Sequence, residues 1–331
     1  MYNNLANPML VNCTFSGNSA SRDGGGMYNN ASSNPTIIHC TISGNSADFG
    51  GGMFNNSSSP IVSNCIFSNN RTSGSGGGMR NCYSSPTVTG CIFSGNRANG
   101  SGGGMDNYDS DPNLTNCTFT GNLGSFAGAA ISNNVSAAGL TNCILWDNNA
   151  PQDAQIHLFN GSTLSIGFSD IQGGLSGIYS AGGGGTVTWR PGNIDADPRF
   201  KNADGPDNIL GTEDDNLQLA YNSPCIDAGD NKAVPLDTAD RDSDGDTTER
   251  IPLDLAGHAR FTDDPLTADT GATDLPDYPN VVDMGACERY EFCGGDDLGQ
   301  ALKGDLNLDC TIDLIDFEIF CRNWLQYIGP E

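Results

Sequence analysis

The chain has 331 residues, a formal net charge of −26 at pH 7 and only 16% charged side chains. Its 44 glycines, together with abundant Asn, Ser and Asp, favour turns and short strands over helices. No basic groove is evident, which argues against a nucleic-acid partner. No apolar run approaches the ~20 residues that a membrane-spanning helix requires.

The acidic residues are concentrated in the second half of the chain. Of the 40 Asp and Glu residues, 6 lie in residues 1–150, which leaves 34 in residues 151–331. Clustered carboxylates either bind divalent cations or keep a surface soluble. The second half is therefore where metal sites are to be sought.

A 26-residue repeat organises the first half. Its first position is always apolar, at Met1, Met27, Met53, Met79, Met105 and Ile131. The next position is mixed in character, and the one after it is Asn in every repeat, from Asn3 to Asn133. This inward, outward, inward alternation predicts a β-strand. Because the chain opens with MYNN, which is internal to the repeat, we expect upstream coils, a cap and a signal peptide to be missing.

A second strand in each repeat carries a cysteine, at Cys13, Cys40, Cys65, Cys91, Cys117 and Cys143. An apolar residue follows two positions later, so both columns face a core. The positions just before and four after each Cys hold types that tolerate positive φ, His39 among them, and these predict corners.

Short strands joined by corners at this period predict six stacked coils of a parallel β-helix over residues 1–155. A repeat of helical hairpins would need a 3.6-residue period, which is absent. We expect the six cysteines to be buried thiols, because stacked side chains run parallel and do not point at one another. The fixed Asn columns are expected to hydrogen-bond along the stack.

Two motifs of the repeat are similar to those of a known family. The segments FSGN, FSNN and FTGN alternate with GGGM within residues 1–150. They resemble the FxxN and GGA[IL] repeats of polymorphic outer-membrane proteins. This resemblance implies an exported right-handed parallel β-helix with an adhesive role, located outside the cell or at its surface.

Strand signals continue past the regular repeat, in STLSIGFSDI (162–171) and TVTWRPGNIDADPRF (186–200). The order of DPRF, SPCIDAGD and VDMGAC is similar to the closing coils of large exported bacterial β-helix proteins. The resemblance implies that the helix occupies residues 1–230, with irregular coils over 156–230. A loop-rich acidic cap would follow over 231–292.

Two acidic stretches in this region are candidate calcium sites. In DRDSDGD, alternating carboxylates around a Gly could direct oxygens at one Ca²⁺, from Asp240, Asp242, Asp244 and Asp246. Ile251 stands where an EF-type loop would supply its bidentate ligand. The other stretch contains Asp204, Asp207, Glu213, Asp214 and Asp215. The alternative for both stretches is a solvated acidic turn.

The clearest ligand motif lies in the final segment, residues 293–331. DLNLDCTIDLID (305–316) has the spacing of a calcium loop, with side-chain oxygens and one carbonyl from Asp305, Asn307, Asp309, Thr311, Asp313 and Asp316. The apolar residues after it predict one helix. The segment resembles a dockerin repeat, which implies Ca²⁺ as the cofactor. A dockerin carries two such repeats and this chain has one, with Cys310 in place of Gly, so a cohesin-type partner is not expected.

The other cysteines fall outside the ladder. Cys82 is expected on the outer face of the coils. Five more lie in the loop-rich end, where disulfides would stabilise most, namely Cys225, Cys287, Cys293, Cys310 and Cys321. A Cys293–Cys310 pair is the pairing proposed from the sequence.

Two functions are compatible with this fold. Parallel β-helices include polysaccharide lyases, which need a base on an exposed strand, and the outward columns offer Arg71, Arg80 and Arg97, with Asp106 one coil beyond Arg80. The competing interpretation is a non-catalytic, calcium-stabilised protein with a structural, adhesive or glycan-binding role. Tyr2, Tyr28 and Phe54 share one outward column, which could be a platform for sugar rings or an aromatic ladder that only stabilises the coils. We favour binding to an extracellular polysaccharide or a cell-surface protein, because no acid–base constellation is evident.

Overall fold

The computed structural model describes residues 1–151, 155–180, 184–242, 244–264, 267–272 and 275–289. Residues Met1–Glu288 form one compact unit, and Arg289–Glu331 belong to a second. The predicted dockerin-like segment 293–331 and the Cys293–Cys310 pair lie outside the described residues. Within the described part, no helix has the length and apolar character needed to cross a membrane.

The chain winds into an all-β parallel solenoid of about seven turns. The first sheet holds the strands of the repeated Met, which are Tyr2–Asn4, Met27–Asn30, Met53–Asn56, Met79–Cys82, Met105–Tyr108, Ile131–Asn134, Ile156–Phe159 and Ile178–Ser180. The second sheet holds Met9–Val11, Thr36–Ile38, Ile61–Ser63, Thr87–Thr89, Asn113–Thr115, Ala137–Thr141, Thr163–Gly167 and Thr186–Trp189.

Two shorter sheets complete each coil. The third sheet holds Thr14–Ser16, Thr41–Ser43, Ile66–Ser68, Ile92–Ser94, Thr118–Thr120, Ile144–Trp146 and Asp170–Ile171. The fourth sheet holds Ser46–Ala47, Arg71–Thr72, Arg97–Ala98 and Leu123–Gly124. Every strand of these four sheets pairs in parallel with its equivalent one coil away, as Met79 does with Met53 and Met105. The predicted parallel β-helix with 26-residue coils is confirmed.

The interior of the solenoid is filled by columns of identical side chains. The methionines of the first sheet from Met27 to Met105 are fully buried. The rings of Phe67, Phe93 and Phe119 stack face to face, with centroid separations of 4.7 and 4.5 Å. The ladder cysteines are free thiols, and those from Cys40 to Cys143 are at most 1% exposed. They therefore act as small apolar residues, as the sequence predicts.

Two columns of buried Asn hydrogen-bond from coil to coil through the regular repeats. In the first sheet, Nδ2 of Asn55 donates to Oδ1 of Asn81, and Asn81 donates to Asn107, each over 2.8 Å. In the corner after the third sheet, Oδ1 of Asn96 accepts from both the backbone N and Nδ2 of Asn70. Because each of these amides is paired with its equivalents on the neighbouring coils, replacing one Asn in the middle of a column would leave two buried amide groups without that partner.

The corners have the backbone geometry that the sequence predicts. The column before each Cys has φ values from 49° to 63°, at Asn12, His39, Asn64, Gly90, Asn116 and Asn142. The column four residues after each Cys has φ values from 52° to 64°. The GGG motif forms a third corner, where the backbones of neighbouring coils come too close for a side chain. A Cβ on Gly77 would lie only 2.4 Å from the carbonyl oxygen of Gly103. A fourth corner, at Ala31, Ser57, Tyr83 and Asp109 among others, also has positive φ and was not predicted.

The parallel stack ends earlier than the resemblance implies. Its last strand is Thr186–Trp189, and the next two strands, Phe200–Asn202 and Asn216–Leu219, pair antiparallel. Short 3₁₀ helices occur at Gly174–Gly177 and Asn231–Ala233. The interval predicted as irregular coils up to 230 therefore contains a hairpin. The hairpin could not be predicted, because its strands are short and the 26-residue repeat ends before it.

The segment from 200 to 288, here called the lateral segment, packs back along the side of the coils. The lateral segment runs along the corner between the second and third sheets, which contains Asn64, Asn116 and Asn142. Asn64 Nδ2 donates to the carbonyl of Asp254 over 3.1 Å, Asn116 Nδ2 to that of Asp283 over 3.0 Å, and Asn142 Nδ2 to that of Asp230 over 3.0 Å. Described residues of the predicted loop-rich acidic cap over 231–292, Asp254 and Asp283, thus contact the flank of the coils.

Three remaining cysteines are buried without disulfides. The side chain of Cys82 lies on the outer face of its strand, as predicted, but it is only 9% exposed. Its Sγ accepts a hydrogen bond from Arg80 Nε over 3.4 Å. Cys225 and Cys287 are free thiols. Each packs in an apolar cluster between the lateral segment and the coils, Cys225 with Ile144 and Cys287 with Ile92. Apolar burial takes the place of the disulfide stabilisation that the sequence suggests here.

The Asn column of the first sheet provides a direct test of the fold. Asn81→Ala removes the acceptor of Asn55 and the donor of Asn107, so two buried amide groups lose a partner. We expect a loss of about 2–5 kcal/mol in the free energy of unfolding, measured by denaturant titration. Asn99→Ala, at an exposed position, is the matched control and should change stability by less than about 0.5 kcal/mol. Equal effects of the two substitutions would contradict the role of the column.

Candidate functional site

The three aromatic residues singled out by the sequence lie in one column on the outer face of the first sheet. Tyr2 pairs in register with Tyr28, and Tyr28 with Phe54. Adjacent ring centroids are 5.3 Å apart in both pairs, and the rings of Tyr28 and Phe54 are nearly parallel. Tyr2 is 61% exposed whereas Phe54 is 8% exposed. The rings of Tyr28 and Phe54 cover each other's facing sides, so the exposed ring of Tyr2 is the part of this column that a ligand could reach most easily.

Arg80 is the next residue of this column, and its guanidinium contacts two aromatic rings and a carboxylate. Its guanidinium lies 4.3 Å from the ring centroid of Phe49 and 5.9 Å from that of Phe54. Arg80 Nε also lies 3.7 Å from Oδ2 of Asp106, which occupies the same position one coil further on. Phe49 comes from the loop before the Met53–Asn56 strand, one coil before Arg80, and its contact with Arg80 could not be predicted from the repeat. The fixed guanidinium can still donate to a ligand at its free edge.

Asp106 is almost completely buried. Burial raises the pKa of its carboxyl group to about 6, while the nearby Arg80 and a hydrogen bond with Ser132 oppose that rise. The carboxyl group therefore titrates close to neutral pH. It can accept hydrogen bonds from ligand hydroxyls when ionised and donate one when protonated.

A groove of about 290 Å³ opens over this part of the sheet. Its polar floor includes Arg80, Asp106 and Ser132, and aromatic side chains form much of its wall. Tyr108 is 38% exposed and Phe126 is 55% exposed. The rings of Phe126 and Phe159 lie parallel with centroids 6.3 Å apart. The complete lining is Ser75, Arg80, Ser101, Asp106, Tyr108, Phe126, Ser132, Asn134 and Phe159.

The same outward column continues through Ser132 and His157. An Asp, a Ser and a His on successive coils could suggest nucleophilic catalysis. However, both ring nitrogens of His157 are buried without a hydrogen-bond partner, so the imidazole does not accept from Ser132. Burial lowers the pKa of His157 to about 4. The three residues do not form a proton relay in this arrangement.

The other two arginines of interest lie on the fourth sheet. Arg71 pairs in register with Arg97, and both are exposed. They border an open groove of about 570 Å³ that also contains Asp48, Ser19 and Leu123. Arg71 and Arg97 are therefore on a different face from Arg80. The structure does not bring the three candidate lyase bases together.

The acidic loop at 240–246 does gather carboxylates. One oxygen each from Asp240, Asp242 and Asp244 lie within 4.8 Å of one another, and Asp242 forms a second such group with Asp237 and Glu249. Oδ1 of Asp242 and Oε1 of Glu249 are buried and lack hydrogen-bond partners. Asp246 instead accepts from the backbone N and Oγ1 of Thr248. The loop could hold a hard cation such as Ca²⁺.

The carboxylates of the stretch at 204–215 make hydrogen bonds within their own loop. Asp207 accepts from the backbone N of Ile209 over 2.8 Å, Asp214 from that of Asp207 over 3.2 Å, and Asp215 from that of Gly211 over 2.6 Å. No group of three with Asp204 or Glu213 is found among the described residues. The calcium ligands predicted from Asp305 to Asp316 lie beyond the described residues.

Comparison with known proteins gives the fold class. Residues 1–119 match a family model described as "Right handed beta helix region". No curated protein and no solved structure matches the chain. The family match agrees with the winding of the coils and carries no information about a ligand.

The raised pKa of Asp106 leads to a pH prediction. A folded-state pKa of about 6 lies above the usual value of 3.8, so this group's contribution to stability is full below about pH 4 and is lost as pH rises through about 6. Between pH 4 and 7, wild type should lose up to about 3 kcal/mol relative to Asp106→Asn. Denaturant titrations across this range measure the difference. Asp147→Asn, on an exposed corner, is the control, and a pH-independent difference for Asp106→Asn would refute the burial argument.

Proposed function

We propose that this protein is a non-catalytic glycan-binding β-helix protein that acts outside the cell or at its surface. Its ligand lies in the groove of the first sheet. The observation that carries the proposal is the combination of the exposed rings of Tyr108 and Phe126 with the fixed Arg80–Asp106 pair beneath them. The groove volume of about 290 Å³ lies near the lower end of small-molecule sites, which suits a sugar unit.

The chemistry of the groove suits a carbohydrate. A sugar ring has an apolar face, which packs on an aromatic ring, and hydroxyl groups around its edge. Phe126 and Phe159 supply the apolar wall, whereas Arg80 donates and Asp106 accepts hydrogen bonds at the floor. Because the charges of Arg80 and Asp106 offset each other, a neutral sugar unit fits better than a uronic acid. The stacked Tyr2 and Tyr28 would extend this surface along the sheet for a longer chain.

A polysaccharide lyase on the pectate-lyase-like scaffold is the alternative. It would require a basic side chain that is free to remove a proton and a cation that holds a uronate. Arg80 is engaged by Phe49, Phe54 and Asp106. Arg71 and Arg97 are exposed, but on the fourth sheet, away from the groove. The geometry therefore favours binding.

The groove residues give the test of this proposal. Tyr108→Ala and Phe126→Ala should each weaken binding to a responsive polysaccharide about fivefold, because an aromatic contact of this kind contributes on the order of 1 kcal/mol. Affinity electrophoresis against a panel of neutral and acidic polysaccharides measures the retention. Tyr221→Ala is the control, since Tyr221 is 50% exposed but lies in the lateral segment.

Three outcomes of that panel are informative. Retention by neutral polysaccharides that both groove variants lose supports the proposal. Retention that Tyr2→Ala abolishes and the groove variants leave unchanged would move the site to the aromatic column. Shortening of an acidic polysaccharide, abolished by Arg71→Ala or Arg97→Ala, would favour the lyase.

Calcium is the second part of the proposal. The carboxylates at 240–244 and the loop at 305–316 are the proposed ligands, and the cation would offset the repulsion among them. Four of the six ligands of the second loop are carboxylates, at Asp305, Asp309, Asp313 and Asp316. The sequence predicts one helix after that loop, and so short a segment would gain much of its order from such a metal.

Each proposed calcium loop can be removed separately. In calorimetric titration of the full chain with Ca²⁺, Asp242→Asn and Asp316→Ala should each remove one equivalent of binding, and the double variant should remove two. Asp195→Asn, an exposed position outside both loops, should retain all equivalents. An unchanged stoichiometry in either single variant would exclude that loop as a site.

A further inference from the structure

A third acidic group lies in the lateral segment and was not predicted from the sequence. It is centred on Asp227, in the turn of SPCIDAGD, where the backbone has a φ of 50°. The side chain of Asp227 is 0% exposed, and its Oδ1 has no hydrogen-bond partner. A fully buried carboxylate oxygen without a partner costs free energy unless something outside the protein satisfies it.

Two further carboxylates converge on this residue. One oxygen each from Asp227, Asp263 and Asp269 lie within 4.8 Å of one another. Asp263 and Asp269 are exposed at the residue level. The carboxylate of Asp227 is therefore buried and those of Asp263 and Asp269 face solvent, so an ion could enter from the solvent side with part of its water shell.

The backbone holds these residues in place around Asp227. Its backbone N donates to Oδ1 of Asp283 over 2.8 Å, and its Oδ2 accepts from the backbone N of Asp264 over 3.3 Å. Its carbonyl oxygen accepts from the backbone N of Thr270 and of Gly271, over 2.9 and 3.0 Å. The loop that carries Asp263 and Asp269 is thus anchored to the Asp227 turn on both sides of the acidic group.

The surroundings of Asp227 contain several negative groups. Burial and then the carboxylates of Asp283, Asp263 and Asp264 raise the pKa of Asp227 to about 8, against partial relief by the bond from the Asp264 backbone. The pKa of Asp263 is also raised, by burial and by Asp269 and Asp264. A bound cation would replace this repulsion with attraction.

We propose that Asp227, Asp263 and Asp269 bind one Ca²⁺ ion that fastens residues 263–264 and 267–271 to the turn at Asp227. The ligand set contains only carboxylate oxygens, which hard cations prefer over the softer transition metals. Calcium accepts irregular geometry with several waters, whereas Mg²⁺ demands a tight octahedron and gives up its waters reluctantly. Three carboxylates with two at the surface therefore fit Ca²⁺ better than Mg²⁺.

The proposal is tested on the full chain by calorimetric titration with Ca²⁺ alone. Asp263→Asn and Asp269→Asn lie at exposed positions, so neither should disturb the fold. Each should remove one equivalent of Ca²⁺, and the double variant should remove the same single equivalent. Asp277→Asn, exposed in the same segment, controls for the loss of one negative charge and should retain full stoichiometry.

Two more variants separate this site from its neighbours. Asp227→Asn replaces the buried carboxyl with an uncharged group of the same shape, so it should fold and still lose the same equivalent. Adding Asp242→Asn to Asp263→Asn should remove one equivalent more than Asp242→Asn alone. Unchanged stoichiometry in both Asp263→Asn and Asp269→Asn, or a double variant that loses two equivalents, would overturn the proposal.

Discussion

The buried Asn amides of this solenoid depend on the coils next to them. The amide of Asn81 accepts from Asn55 and donates to Asn107. Leaving such groups unpaired would cost about 1–3 kcal/mol each. The coils must therefore repeat in register, and that requirement explains why Asn is fixed at these positions while the outward positions vary.

The candidate site follows from this register. Residues separated by one repeat must lie side by side on the sheet, so Phe54, Arg80 and Asp106 form a contact series that their distance along the chain would not suggest. The site lies where the residues of this outward column change from aromatic, at Phe54, to charged, at Arg80 and Asp106. A scaffold that fixes the backbone so firmly can hold an Arg–Asp pair and aromatic walls without rearrangement on binding, which reduces the entropy that a ligand must overcome.

The sequence predicted the features that repeat and not those that occur once. The Met, Asn and Cys columns and two of the corners could be predicted because six copies define each position. The groove was only partly visible, since Arg80 and Asp106 are column positions but Phe126 comes from a loop that has no counterpart in the strand pattern. The contacts of the lateral segment with Asn64 and Asn116 could not be predicted, because they join parts of the chain that share no period. Asp227 was missed for the same reason, since Asp263 and Asp269 approach it only through the folding of that segment.

Hydrogen exchange of the side-chain amides tests the coil-to-coil hydrogen bonding most directly. In NMR spectra of the protein transferred to D₂O, the Nδ2 protons of Asn55, Asn81 and Asn107 should persist as long as the backbone amides of the central strands, because both are released only when coils separate. The Nδ2 protons of exposed Asn99 should exchange within the dead time. Exchange of the three buried amides at the rate of Asn99 would contradict the account, because it would mean that the interior columns do not hold the coils together.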